Sequence, residues 1–183
     1  KAMAATISAV SVERIRVELM KLLMSNNPDR LELTLELGLL DAFLPELKNY
    51  NLDRIVHYIN RINNKFSVKN KRRPILILAA LLEESENEQE FEVILRRLKF
   101  DNDTIKHVCQ ILKYHNQDYK PSRVDMRRMM NVRGVEEMSF IFDYQEAVSP
   151  MEKIYEIRQA RTLYEDIIDK EEPVTIKQLA VSG

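Results

Sequence analysis

"PILILAALLEES", residues 74–85, decides the fold. From Pro74 to Leu82 there is no polar side chain, and two carboxylates, Glu83 and Glu84, follow at once. A run of that length suits either a buried strand or a buried helix. Ala79-Ala80 and Leu81-Leu82 extend it, Pro74 fits a first helical turn, and no partner strand stands nearby. The helical reading makes the segment apolar on every side, as the middle of a helical core requires.

Working outward, the neighbours read the same way. Asn51 is placed to cap "LDRIVHYINRI", where Leu52, Ile55, Val56, Ile59 and Ile62 return at helical spacing. "EFEVILRRL" and "DTIKHVCQILKYH" follow the central run. Ahead of it, Ser11 is set to cap a stripe of Val12, Ile15, Leu19, Leu22 and Leu23. "NPDRLELTLELG" predicts a helix with Asn27 as cap, Pro28 at the first helical position and Gly38 as the stop. "LLDAFL" predicts a short helical turn up to Pro45. Toward the C-terminus, Ser122 caps "RVDMRRMM", Gly134 precedes "VEEMSFIFDYQEAV", and Ser149-Pro150 open a long helix through Ile168. "PVTIKQL" begins a further element. Three glycines in 183 residues leave few tight turns, so an all-α protein is expected.

Apolar residues make up 45% of the chain, enough for a packed core at this length. The net charge of −1 argues against a uniformly basic nucleic-acid binder, yet the charge is banded. Residues 48–73 hold eight Lys/Arg against one acid, Asp53, whereas residues 74–95 hold six Glu and no base. Residues 96–133 carry ten bases against four acids, and 134–172 reverse to four against eleven. Such bands are either solvated faces or positive stripes for a phosphate backbone. A single cysteine, Cys109, makes no internal disulfide and points to the cytoplasm. The longest apolar stretch falls far short of the ~20 residues of a membrane span, so no membrane is expected. Lys1 and Gly183 read as cut points.

Catalytic motifs are absent: no GxSxG, Walker A or GxGxxG occurs. Cys109 sits in or beside the stripe Ile105, Val108, Ile111, Leu112 and reads as an inert thiol. Asp101 and Asp103 have a DxD spacing suited to Mg²⁺, but between two helices Asp101 or Asn102 reads as a cap. His107 and His115 are eight apart, too far for an i,i+4 metal pair, and His57 stands among Arg54, Tyr58 and Arg61. "RIVHYINRI" followed by "LILAALLEES" resembles the order of metal-dependent phosphohydrolases of the HD type, with Glu83-Glu84 where His-Asp would stand. A second carboxylate in place of the imidazole removes a nitrogen ligand, so no metal or catalytic residue is expected in this chain.

"VSVERIRVELMKLL" (residues 10–23) and "GLLDAFLPEL" (residues 38–47) resemble the stretch after the catalytic head of class II tRNA nucleotidyltransferases, the CCA-adding enzymes, and their poly(A) polymerase relatives. "LRRLKFDNDTIKHVCQILKYH" and "EPVTIKQLAVSG" are similar to later segments of that family. The resemblance implies an elongated, bundle-like helical array with a degenerate HD-like centre: a neck over 1–47, a body over 48–120, and a helical linker with the start of a tail over 121–183. It implies that Glu13, Arg14, Arg16 and Glu18 form a neck motif. It also implies that Mg²⁺ belongs to a head not contained in these residues. The expected partners are that head and the acceptor/T arm of tRNA, an A-form surface read through phosphates and 2′-hydroxyls. The bases expected to touch RNA are Lys69, Lys71, Arg72, Arg73, Arg96, Arg97, Lys99, Arg123, Arg127 and Arg128, with Lys106, His107, Lys113 and His115 as extensions. The alternatives are a poly(A) polymerase-type RNA-binding region, a helical protein-interaction module without RNA affinity, and a metal phosphohydrolase.

Overall fold

The computed structural model describes residues 11–41, 43–85, 88–120 and 122–170. Among these the chain is all-α, with nine α-helices, one 3-10 turn and no strand. Contacts divide it into two compact units, Lys1–His115 and Asn116–Gly183. The segment 171–183, where a tail was expected to begin, lies outside the described residues, as do Val10 of the neck motif and Ala42.

In the first unit, α1 (Val12–Leu23) is capped by Ser11, whose hydroxyl accepts from the Arg14 N–H, and it buries Leu19 and Leu23. The next helix starts later than its sequence suggests. α2 runs over Arg30–Glu36 with Asp29 ahead of it, and Asn27 and Pro28 lie outside. Arg30 N–H donates to Asn27 O at 3.3 Å and Leu31 N–H to Pro28 O at 3.0 Å, so the entry is a tight i−3 turn that delays the helix. Its stop is as predicted: Gly38 has φ +67°, Leu39 N–H donates to Thr34 O at 2.9 Å and Gly38 N–H to Leu35 O at 2.8 Å. That paired arrangement needs a left-handed residue, which glycine supplies without a steric penalty. Where "LLDAFL" predicted a turn, the Phe43 and Leu44 N–H groups both donate to Leu40 O, at 2.9 and 2.7 Å, and a 3-10 helix follows over Pro45–Asn49.

α3 (Leu52–Lys65) takes Asn51 as its cap, with Asn51 Oδ1 accepting from Arg54 N–H at 3.1 Å, and buries Ile55, Ile59 and Ile62. α4 (Arg73–Leu82) is the central run, and every residue from Leu76 to Leu82 is buried. It lies against α3 and against α6 (Asn102–Tyr114), while α5 (Glu88–Arg97) covers α6. A helix enclosed on several sides can be apolar all round, and each fully buried Leu or Ile contributes roughly 1.5–3 kcal/mol. Asp101 proves to be the cap of α6, its carboxylate accepting from both the N–H and the hydroxyl of Thr104 at 2.8 Å.

The second unit holds α7 (Arg123–Arg133), α8 (Val135–Val148) and α9 (Met151–Lys170), each packed on the other two. α8 is its core: Met138, Phe140, Ile141, Phe142 and Tyr144 are buried. Phe142 lies between Tyr119 and Tyr164, with ring centroids 5.1 and 5.4 Å away. Three polar side chains on α8 are held by named partners. Asp143 and Glu146 accept from Arg161 Nη1 at 2.8 and 3.1 Å, and Gln145 Oε1 accepts from Tyr119 O–H at 2.5 Å. Burial lowers the Arg161 pKa, but its hydrogen bonds to Glu165, Asp143 and Glu146 outweigh it and the net shift is upward. Gly134 joins α7 to α8 at φ +97°.

Candidate nucleic-acid interface

The four residues expected to form a neck motif divide between two faces of α1. Glu13 and Arg16 turn toward the corner between α5 and α6. There Lys99 Nζ donates to Glu13 Oε1 at 2.7 Å, Arg16 Nη1 donates to Lys99 O, and the Arg16 guanidinium stands 5.4 Å from the Phe100 ring centroid. Lys99 has φ +58° and ends α5 in the manner of Gly38: its N–H donates to Arg96 O at 2.9 Å and the Phe100 N–H to Leu95 O at 3.1 Å. Its ammonium, in turn, holds the Glu13 carboxyl below its usual range. Arg14 and Glu18, by contrast, rim an apolar groove of about 360 Å³ with Ile15, Leu19, Leu22, Thr34, Leu39 and Leu40. Leu33 on α2 and Leu37 just after it are more than half exposed.

The other end of α1 is held by Asn63 of α3 and Arg73 of α4. Asn63 Nδ2 donates to Leu23 O at 2.9 Å and to Ser25 O at 3.2 Å. Arg73 Nη2 donates to Met24 O at 2.8 Å and to Asn63 Oδ1 at 2.6 Å, and Arg73 Nε to Asn63 Oδ1 at 2.9 Å. Arg73 is only 4% exposed, and burial pulls its pKa down. It has no carboxylate partner among the described residues. What favours its charge is the C-terminal end of α1, where unpaired carbonyls and the helix dipole attract a cation. So Arg73, expected to contact RNA, faces the core. Its spacing carried the signal, because it lies three and four residues before the buried Leu76 and Ile77.

The remaining predicted bases fall into two groups. Lys69 and Lys71 are exposed in the turn between α3 and α4, and neither has an ion-pair partner among the described residues. Arg72 is half-buried, and its N–H donates to Asn70 Oδ1 at 2.9 Å. They belong to a stretch, residues 54–82, with seven Lys/Arg and no acid. The second group is matched by carboxylates: Arg96 with Glu92 at 2.7 Å, Arg97 with Glu46 at 2.7 Å, Lys99 with Glu13, Arg123 with Asp166 at 2.5 Å, and Arg128 with Asp125 at 3.6 Å. Arg127 is exposed on α7. Lys113 pairs with Glu88 at 2.8 Å, and Lys106 is exposed.

Glu83 and Glu84 face different neighbours. Glu84 accepts from the Asn51 N–H at 2.6 Å and pairs with Arg54 at 3.0 Å, which ties it to the start of α3. Glu83 Oε1 is 3.6 Å from His115 Nε2, while His57 is exposed beside the Tyr58 ring. Among the described residues no three His, Cys, Asp or Glu side chains converge as metal ligands. Nor is any helix among them long and apolar enough to cross a membrane. Cys109 is half-buried, and burial followed by Glu92 and Glu88 pushes its thiol up to about 11, so it is a poor nucleophile near neutral pH.

No curated protein and no solved structure matches the chain. Residues 1–51 do match one family model, and the matched stretch ends on the cap of α3. That stretch, α1 with α2 and the 3-10 turn, is thus similar to the region described as the "Probable RNA and SrmB- binding site of polymerase A".

Proposed function

We propose that this chain is the RNA-holding helical part of a tRNA nucleotidyltransferase, of the kind that adds CCA, or only part of it, to tRNA 3′ ends. Its task is to seat the acceptor/T arm for a catalytic head that carries the Mg²⁺ and the reacting carboxylates. The observation that carries this is the match of residues 1–51 to an RNA-binding region of polymerase A. The two polar clasps on α1 support it, because they fix that region to a body with a basic edge. A poly(A) polymerase-type region has the same match, and the two differ in the RNA preferred. Any nucleotide transfer belongs to the head, and the cytoplasm is where such a protein would work.

Filter binding of the 183-residue chain to tRNA across a salt series tests the reading. Binding is expected at low salt and falls steeply with added salt, because counterions released into a saltier solution gain less entropy. Equal affinity for tRNA and for an unstructured poly(A) of similar length favours the poly(A) polymerase reading. Absence of any RNA affinity at low salt leaves a protein-interaction module. The apolar groove between α1 and α2 favours that second reading, since the family description names a protein, SrmB, beside RNA.

A further inference from the structure

The groove between α1 and α2 takes no part in either clasp on α1. Its wall is apolar: Ile15 and Leu22 stand half-buried on α1, and Leu39 lines it from beyond the Gly38 stop. Thr34, the polar residue on the α2 side, spends its hydroxyl on Leu31 O at 2.7 Å. The apolar surface does not end at the rim. Leu37 and then Leu33 follow Thr34 around the α2 axis in steps of about 60° and 40°. Both are more than half exposed. A hollow and a ridge therefore lie side by side on one surface. Exposed leucines beside an open apolar groove are unfavourable in water, and a partner that covers both is stabilising.

The rim charges point to which partner. Arg14 and Glu18 stand one helical turn apart on the same edge of the groove, and both are exposed. Glu18 meets exposed Lys21 at 2.8 Å, and Arg14 has no ion-pair partner among the described residues. Set antiparallel against its own copy, α1 brings each Arg14 opposite the Glu18 of the other, twice by symmetry. The same two-fold operation turns the Leu33–Leu37 ridge of each copy toward the groove of the other. One patch that carries its own hollow, ridge, cation and anion meets the requirement of an isologous contact, self-complementarity.

We propose that this face of α1 and α2 is where two copies of the chain associate. Leu37 of each copy seats in the groove of the other, and Arg14 pairs with Glu18 across the two-fold. The inference uses neither RNA nor the catalytic head, so it stands or falls apart from the proposed function.

Sedimentation of the 183-residue chain over a dilution series tests it, with a dissociation constant on the order of 10 μM expected for so small a contact. Leu37→Asp should weaken association at least tenfold. Because Leu37 is exposed, that variant should melt with the parent at a dilution where both are monomeric. Arg14→Glu and Glu18→Arg, each alone, should weaken association about tenfold, since like charges then face each other twice. Mixed together, these two variants should form a heterodimer about as strong as the parent dimer, because every acid again faces a base. A helix merely disturbed by either substitution is not rescued by mixing.

A parent chain that stays monomeric well above the expected dissociation constant overturns the inference and leaves the groove to a different protein. Dimers that Leu37→Asp and the charge reversals leave unchanged overturn the choice of surface. Reversals that weaken association singly, with no recovery on mixing, overturn the antiparallel pairing of α1.

Discussion

The two basic bands of this chain look alike in sequence and end differently in the fold. In the first, residues 48–73, Lys69 and Lys71 stay exposed, while Lys48 meets Asp41 and Arg54 meets Glu84, acids that lie just outside the band. The second band, residues 96–133, is largely neutralised by acids brought from elsewhere. Lys99 meets Glu13, Arg97 meets Glu46 and Arg123 meets Asp166, partners 86, 51 and 43 positions away. A cluster of like charge in sequence therefore reports only what is nearby along the chain. Whether it survives as a surface depends on which helices fold back on it.

The sharpest way to break the comparison is to attack the one base of the first band that faces inward. Asn63→Ala removes the acceptor of two Arg73 donors and the donor to Leu23 O and Ser25 O. Leaving buried polar groups unsatisfied should cost about 3 kcal/mol, read by urea unfolding. Lys69→Ala, a few residues along the same hairpin, should change stability by less than about 0.5 kcal/mol. In the second band, Arg97→Ala breaks a half-buried pair with Glu46. The expected loss is about 1 kcal/mol in the same assay.

Smaller still is the effect at Lys99, where a left-handed backbone and an exposed ion pair oppose each other. Lys99→Gly relieves a strain of roughly 1 kcal/mol and loses only a solvent-exposed pair, so its melting temperature should equal or exceed that of the parent. Lys99→Ala loses the pair and keeps the strain, and should melt lower.

Acid separates the bands by another route. Glu13 is held below its usual pKa first by the hydrogen bond from Lys99, and Asp166 by those from Lys170 and then Arg123. A carboxyl with a depressed folded pKa contributes stability above its unfolded value, and that contribution is lost as pH falls through the folded value. Stability should therefore decline below about pH 4 as these pairs of the second band dissolve. Glu13→Gln should flatten part of that decline in unfolding measured from pH 7 downward, and Lys69→Ala should not.

Local signals were legible in the sequence. Ser11, Asn51 and Ser122 were readable as caps because a cap bonds within three residues of itself, and the closure at Gly38 follows the same logic. α2 was placed two residues early because Asn27-Pro28 resembles a cap and first position, while the chain spends those residues on a preceding turn. The site was less legible. The apolar phase of α4 pointed to the inward course of Arg73, but nothing near Lys99 in sequence announces Glu13. The split of the neck motif depends on α1 meeting the α5–α6 corner on one side only, a tertiary event. Glu83 and Glu84, adjacent in sequence, serve two different helices for the same reason.

Gly134 ends one helix and begins the next, with no spacer between them. The rotational phase of α7 is therefore geared to that of α8, whose buried residues allow it no freedom to turn. One residue inserted at this joint would swing α7 by about 100° about its own axis. Arg127 and Arg128 would travel around with it and Met126 would be driven out of the core, so natural variation in length should be excluded at this point.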